Sequence, residues 1–357
     1  MSMDGTEMTL PYLTSAWPGI GGVTRAKPED FRVEERPLYL PCGQGEHLYL
    51  RVTKRGLSTP DMVKQFASVL GVKAKCIGVA GLKDARAVTT QMVSVQGVQP
   101  EMISRLSIND RLLAVDVLGR HRNRLRTGHH AGNRFRLVVH EVSAEAGTIV
   151  PCVLDELARR GVPNYFGPQR QGKRGLNYET GAALLRDAQR RARIGRTQRI
   201  WFLNAYQSHI FNKMLAVRIR RLDRVLVGDW AMKHVNGACF QVEDADIEQN
   251  RADAFEISPT GLLFGSRASW ASGEPGDIER AVVAELNETP ESLKQAAVEC
   301  GFRGERRPLR VRMDELDWSL EGTTLTLSFA LPPGAYATSV LRELMKSDEF
   351  PQVKSEK

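Results

Sequence analysis

The chain changes style twice, near residue 155 and again near residue 305, and this limits the folds open to it. Before the first break, strand patterns predominate. His47–Thr53 alternates, with Leu48, Leu50 and Val52 on one face and His47, Tyr49, Arg51 and Thr53 on the other. Arg134–His140 groups Phe135, Leu137 and Val139 in the same way. Between them one helix is well signalled. Thr59 can cap it, Pro60 fits its first position, Met62, Val63, Phe66 and Leu70 form its apolar stripe, and Gly71 ends it. The middle of the chain is more helical and more basic, with helices expected over Glu179–Arg191 and Ala205–Leu222. After residue 308 strands return. Thr323–Phe329 places Leu325, Leu327 and Phe329 together, Pro332-Pro333-Gly334 breaks the chain, and a closing helix carries Ala337, Leu341, Leu344 and Met345.

At 357 residues the chain exceeds one ordinary core. The expected class is α/β of the α+β kind. Residues 1–158 and 306–357 would make a sheet-rich domain, and residues 159–305 a second domain inserted into it.

Composition removes several classes of function. With 42% hydrophobic and 26% charged residues, the sequence reads as soluble and globular. Lys and Arg number 50 against 42 Asp and Glu, a net charge of +8, which suits a polyanionic partner. Arg190, Arg191, Arg193, Arg196 and Arg199 form one cluster, and Arg218, Arg220, Arg221 and Arg224 form another. Each is either a phosphate track or a solvated helix face. Cys42, Cys76, Cys152, Cys239 and Cys300 are scattered and include no C-x-x-C pair, so reduced thiols in a cytoplasmic protein are expected. His129-His130 lacks metal-ligand spacing and reads as polar loop. No secretory or membrane-spanning pattern is visible, Gly19–Gly22 reads as a turn, and no nucleotide-binding loop is found.

The densest chemical signal is Ala80-Gly-Leu-Lys-Asp-Ala-Arg-Ala-Val-Thr89. Asp84 lies between Lys83 and Arg86 in a polar turn, between expected strands Cys76–Leu82 and Ala87–Val95. Two neighbouring cations would hold its carboxylate ionised, suiting it to act as nucleophile or base rather than as acid. Taken alone, the same residues describe a surface turn with a solvated ion pair.

Gly81–Gln91 resembles the signature of the TruD-type tRNA pseudouridine synthases, and other segments carry the likeness further. They are Ala26-Lys-Pro-Glu-Asp-Phe31, Gly43-Gln-Gly-Glu-His47, Gly132-Asn-Arg-Phe135 and Gly161-Val-Pro-Asn-Tyr-Phe-Gly-Pro-Gln-Arg170. Ala205-Tyr-Gln-Ser208 with Phe211-Asn212, and Leu331-Pro-Pro-Gly-Ala-Tyr-Ala-Thr338 with Leu341-Arg-Glu343, complete the set. The blocks follow family order from residue 26 to 343, and the middle segment is the least matched.

The resemblance implies a pseudouridine-synthase catalytic domain with a mixed, mainly antiparallel sheet, and an inserted domain specific to this family. It implies isomerisation of uridine to pseudouridine in tRNA, usually at position 13 of the D arm. No cofactor, metal, nucleotide, membrane or protein partner is implied. Asp84 takes the catalytic role, attacking sugar or ring or removing a sugar proton. Phe31, Asn133, Phe135 and Phe329 surround a base flipped out of its stack, where aromatic faces contribute ~1–3 kcal/mol per base.

By their own pattern, Phe135 and Phe329 are strand residues that fit an ordinary core, and Gly132-Asn133 fits a turn. Lys27, Lys83, Arg86 and Arg170 either hold phosphates or pair with Glu29, Asp30 and Asp84. Tyr165 and Phe166 are either packing residues or RNA contacts, and Tyr206 and Phe211 read as core. Two other functions compete. A non-catalytic RNA-binding protein on this scaffold would leave Asp84 in its intact motif unexplained. A methyltransferase would need a glycine-rich cofactor loop that the sequence lacks.

Overall fold

The alternation at both ends of the chain builds one nine-stranded sheet. It is seen in a computed structural model that describes residues 10–172 and 175–347. The early strands are β1 (Val23–Thr24), β2 (Phe31–Pro37), β3 (His47–Arg55), β4 (Ile77–Val79), β5 (Val88–Gln96), β6 (Leu112–His121) and β7 (His130–His140). The middle of the chain contributes β8 (Val162–Pro163), β9 (Trp230–Lys233), β10 (Cys239–Gln241), β11 (Ile257–Leu263), β12 (Glu305–Pro308) and β13 (Arg310–Val311). β14 (Asp314–Glu321) and β15 (Thr324–Leu331) return to the first sheet. Its order is β14-β15-β7-β2-β5-β3-β6, with β1 on β7 and β4 on β5. β2 and β5 run parallel and the other described pairs antiparallel, which gives the mixed, mainly antiparallel sheet expected.

Contacts divide the chain into two compact units. The described parts of one are residues 20–148 and 313–335, and of the other residues 10–19, 149–312 and 336–347. The sheet-bearing unit has its main core between α1 (Thr59–Leu70) and the sheet. Leu48, Leu50 and Val52 of β3 pack with Met62, Phe66 and Leu70 of α1 and with Ile77, Val93 and Val95. Each such side chain taken from water contributes about 1.5–3 kcal/mol.

Two details depart from the sequence reading. The N-cap of α1 is Ser58, whose hydroxyl accepts from Asp61 N–H, and Thr59 is already helical. The second face of β3 is also partly covered, since His47 and Tyr49 are buried. Gly71 ends α1 as expected, at φ 68°.

In the other unit, the expected helix Glu179–Arg191 divides. Asp187 turns extended between Asn177–Arg186 and Ala188–Ala192, and its carboxylate caps the second piece by accepting from Arg190 N–H. A longer helix, Arg196–Arg218, follows and packs Leu203, Tyr206, Ile210 and Met214 against Leu184, Leu262 and Phe264. The closing helix Ala337–Met345 belongs to this unit.

Candidate active site

The strand expected over Cys76–Leu82 ends at Val79, and residues 80–87 form the turn that carries Asp84. The turn is tied down at several points. Gly128 N–H donates to the Ala80 carbonyl at 2.8 Å, and Lys83 N–H donates to Thr59 Oγ1 at 3.0 Å. Thr59 in turn donates to Gln91 Oε1 at 2.9 Å. Displaced from the capping position by one residue, Thr59 is thereby free to fix the turn.

Asp84 is exposed, with its side chain at 35%. Oδ1 accepts from Arg86 N–H at 2.8 Å, so the carboxylate folds onto its own turn. Oδ2 accepts from Arg25 Nη1 at 2.7 Å. This corrects the expectation that Lys83 and Arg86 supply the flanking charges. Lys83 is directed elsewhere, and the bond from Arg86 to the carboxylate comes from its backbone.

Arg25 joins the carboxylate to the aromatic residues. Its guanidinium lies over the Phe31 ring at 4.0 Å from the centroid, an arrangement favoured by the ring quadrupole. Phe31 meets Phe135 edge-on at 6.4 Å, and Phe135 meets Phe329 at 5.6 Å. The strand register explains the row: Phe135 of β7 stands opposite Phe329 of β15 and Val33 of β2, and Phe31 lies two residues before Val33 on the same face. Phe31 and Phe135 keep 5% and 6% exposure, whereas Phe329 keeps none. The row therefore runs from the Arg25 guanidinium into the core.

Lys83 is buried beside Glu35, with the side chains 5% and 0% exposed and Nζ 2.8 Å from Oε2. The contact lies off the line of a hydrogen bond, so it is chiefly Coulombic. Glu35 Oε1 accepts from Met92 N–H, and Lys83 Nζ donates to Asn133 Oδ1 at 2.8 Å. The Asn133 carbonyl oxygen is thus occupied, and its amide N–H groups have no protein acceptor among the described residues. His130, at the head of β7, donates from Nδ1 to the Gly132 carbonyl at 3.3 Å. Burial and then Lys83 push its pKa down, which keeps the ring neutral near pH 7.

The basic residues elsewhere divide. Arg191 is buried, donating to the Leu184 and Leu185 carbonyls and to Glu299, which corrects its place in a phosphate track. Arg218 is likewise buried against Asp229. Arg190, Arg193, Arg196, Arg220 and Arg224 are exposed, and Arg221 pairs with Glu274. Tyr165, Phe166, Tyr206 and Phe211 are buried. A hollow of about 420 Å³ lined by Leu10, Tyr12, Arg160 and Ile219 lies in the other unit and holds none of the candidate residues. Among the described residues no group of three or more His, Cys, Asp or Glu could hold a metal, and the five cysteines are free.

Asp84, Phe31, Asn133, Phe135 and Phe329 all fall in the sheet-bearing unit. Sequence reasoning missed Arg25, Thr59 and Glu35. Arg25 directly precedes the Ala26–Phe31 block, and its positive φ of 55° leaves no mark in the sequence.

A family model described as tRNA pseudouridine synthase D (TruD) matches residues 7–194 and 191–344. A protein of Thermus thermophilus named tRNA pseudouridine synthase D is 42% identical over 352 residues, covering 97% of this chain and 95% of its own. A protein of the same name from Geobacter sulfurreducens is 40% identical over 399 residues, covering 94% and 96%. A solved structure from Methanosarcina mazei, assigned to tRNA pseudouridine synthase D, superposes with a TM-score of 0.79 at 26% identity, covering 94% of this chain and 96% of that one.

Proposed function

The chain belongs to the TruD family of tRNA pseudouridine synthases and is an isomerase, and from that premise we propose that Asp84 is its nucleophile and the phenylalanine row its base pocket. The sheet-bearing unit then carries catalysis. The observation that supports this best is the single path of contacts from the exposed Asp84 carboxylate through Arg25 to Phe31, Phe135 and Phe329. The isomerisation breaks the N1–C1′ bond of uridine, forms C5–C1′, and exchanges the C5 proton for one on N1, so nothing is oxidised or reduced. A carboxylate suits the task, being nucleophilic when ionised and a tolerable leaving group afterwards.

Arg25 donates to Oδ2 and so fixes the direction in which the carboxylate points. A uridine within stacked RNA is out of reach, so the base must flip out, with Phe31 and Phe135 receiving it and Phe329 backing them. Asn133, its oxygen held by Lys83, has amide N–H groups free to donate to a uracil carbonyl. Position 13 of the D arm is the target carried over from the family, and a tRNA substrate supports a cytoplasmic setting for the work. Among the described residues no helix is long and apolar enough to cross a membrane.

Incubation with unmodified tRNA followed by pseudouridine mapping tests the reading. Product should form at one D-arm uridine without additive and at an unchanged rate after dialysis against chelator. Loss of turnover restored by one specific metal would move the enzyme to another class of chemistry.

Phe329→Leu separates the ring's packing role from its role in the pocket. It should cost up to ~1.5 kcal/mol of stability through reshaped packing. It should also lower the single-turnover rate more than tRNA affinity, which rests mainly on phosphates. A destabilised variant with full turnover per folded molecule removes Phe329 from the pocket.

A further inference from the structure

Lys54 is a buried cation to which the chemistry above gives no part. It lies near the end of β3, opposite Thr89 of β5 and Leu112 of β6, and its side chain has no exposure. Its ammonium donates to the Leu57 carbonyl at 2.5 Å, and among the described residues it makes no ion pair. An ammonium carries three donors, and burying one without a carboxylate beside it opposes folding.

The chain path puts this cation next to the catalytic turn. Lys54 and Arg55 pair with Thr89 and Val88 at the start of β5, and Gly56 N–H reaches the Ala87 carbonyl at 3.4 Å. The loop after β3 therefore runs beside residues 80–87. Burial pushes the Lys54 pKa down to about 8, opposed by attraction to Asp84 and assisted by repulsion from Lys83. The residues facing it across the sheet, Thr89 and Leu112, do not titrate.

We propose that Lys54 is a positioning residue for Asp84, a fixed cation behind the turn that keeps the carboxylate ionised when RNA closes over the site. The proposal rests on the assignment of Asp84 above. Bound RNA brings negative phosphates and excludes water, and both changes favour the protonated carboxyl. Arg25, in direct contact with Asp84, keeps 17% side-chain exposure and is open to competition from phosphate. Lys83 is committed to Glu35 and Asn133, near His130. The contact of Arg86 with the carboxylate is through its backbone N–H. Lys54, with no exposed surface, stays in place whatever binds.

The test is the pH dependence of single-turnover pseudouridine formation at saturating tRNA for wild type, Lys54→Met and Lys54→Gln. Removing a positive neighbour raises the carboxyl pKa, so a higher pH is needed to ionise Asp84. The acid limb should move up by about one pH unit, a roughly tenfold loss of rate on that limb. The rate near neutral pH and the affinity for tRNA should stay within about twofold of wild type, because a side chain without exposure touches no phosphate.

A limb that does not move, or a loss equal at every pH, overturns the proposal. Wild type alone gives a second measurement if the variants fail to fold. The acid limbs of kcat/KM and kcat, which report free and bound enzyme, should lie within about half a unit of each other. A bound-state limb raised by more than a unit also overturns it. Asp84→Asn, run alongside, tests the nucleophile assignment separately, since product from that variant removes Asp84 and leaves the Lys54 result without bearing on it.

Discussion

Asp84→Asn abolishes pseudouridine formation and leaves tRNA binding within a few-fold of wild type. The amide keeps the size of the carboxylate, and its one oxygen can still accept from Arg86 N–H, the bond that folds the side chain onto its own turn, while the bond from Arg25 to the second oxygen is lost. What it loses is the negative charge and the nucleophilic lone pair. Removing a nucleophile outright typically costs on the order of 10⁴-fold or more, equivalent to about 5 kcal/mol or more of transition-state stabilisation. Affinity changes little because one exposed carboxylate among many basic side chains contributes weakly to phosphate binding, and its loss removes a repulsion. Single-turnover rates and a binding isotherm at one salt concentration check both halves. Activity within tenfold of wild type would take the nucleophile role from Asp84.

Much of the frame behind that prediction was legible in the sequence. The alternation in His47–Thr53, Arg134–His140 and Thr323–Phe329 located β3, β7 and β15, because a strand with one buried face must alternate. The stripe Met62, Phe66 and Leu70 located α1 to within a residue. Register then did what sequence cannot announce. Phe135 and Phe329 are 194 residues apart, and only the pairing of β7 with β15 sets their rings 5.6 Å from one another.

Charge was the least legible property. Lys83 and Arg86 flank Asp84 in sequence, yet the cation on its carboxylate is Arg25, 59 residues away. Adjacent residues in a turn point apart, so nearness along the chain says little about which charges meet. Arg191 carries the same lesson, since its place in an arginine cluster concealed a buried set of bonds to Leu184, Leu185 and Glu299.

Breaking the Lys83–Glu35 pair has the largest expected effect on stability. Lys83→Met removes the ammonium but leaves the Glu35 carboxylate, which is wholly buried and keeps only the Met92 N–H on its other oxygen. An uncompensated buried charge typically costs about 3–5 kcal/mol. In a domain of this size each kcal/mol lowers the thermal midpoint by roughly 2–4 °C, so a drop on the order of 10 °C is expected.

Lys83→Met combined with Glu35→Leu should recover most of the loss, because replacing both members of a buried pair with apolar residues is often neutral or better. Activity should not return with stability. The double variant still lacks the donor that occupies the Asn133 oxygen at 2.8 Å, so the amide is no longer turned to present its N–H groups. Thermal midpoints and single-turnover rates for the two single variants and the double variant complete the cycle. A Lys83→Met protein within ~1 kcal/mol of wild type would mean the pair is not the buried ion pair its 2.8 Å contact describes. A double variant with full activity would release Lys83 from any part in orienting Asn133 and leave it a purely structural member of the sheet.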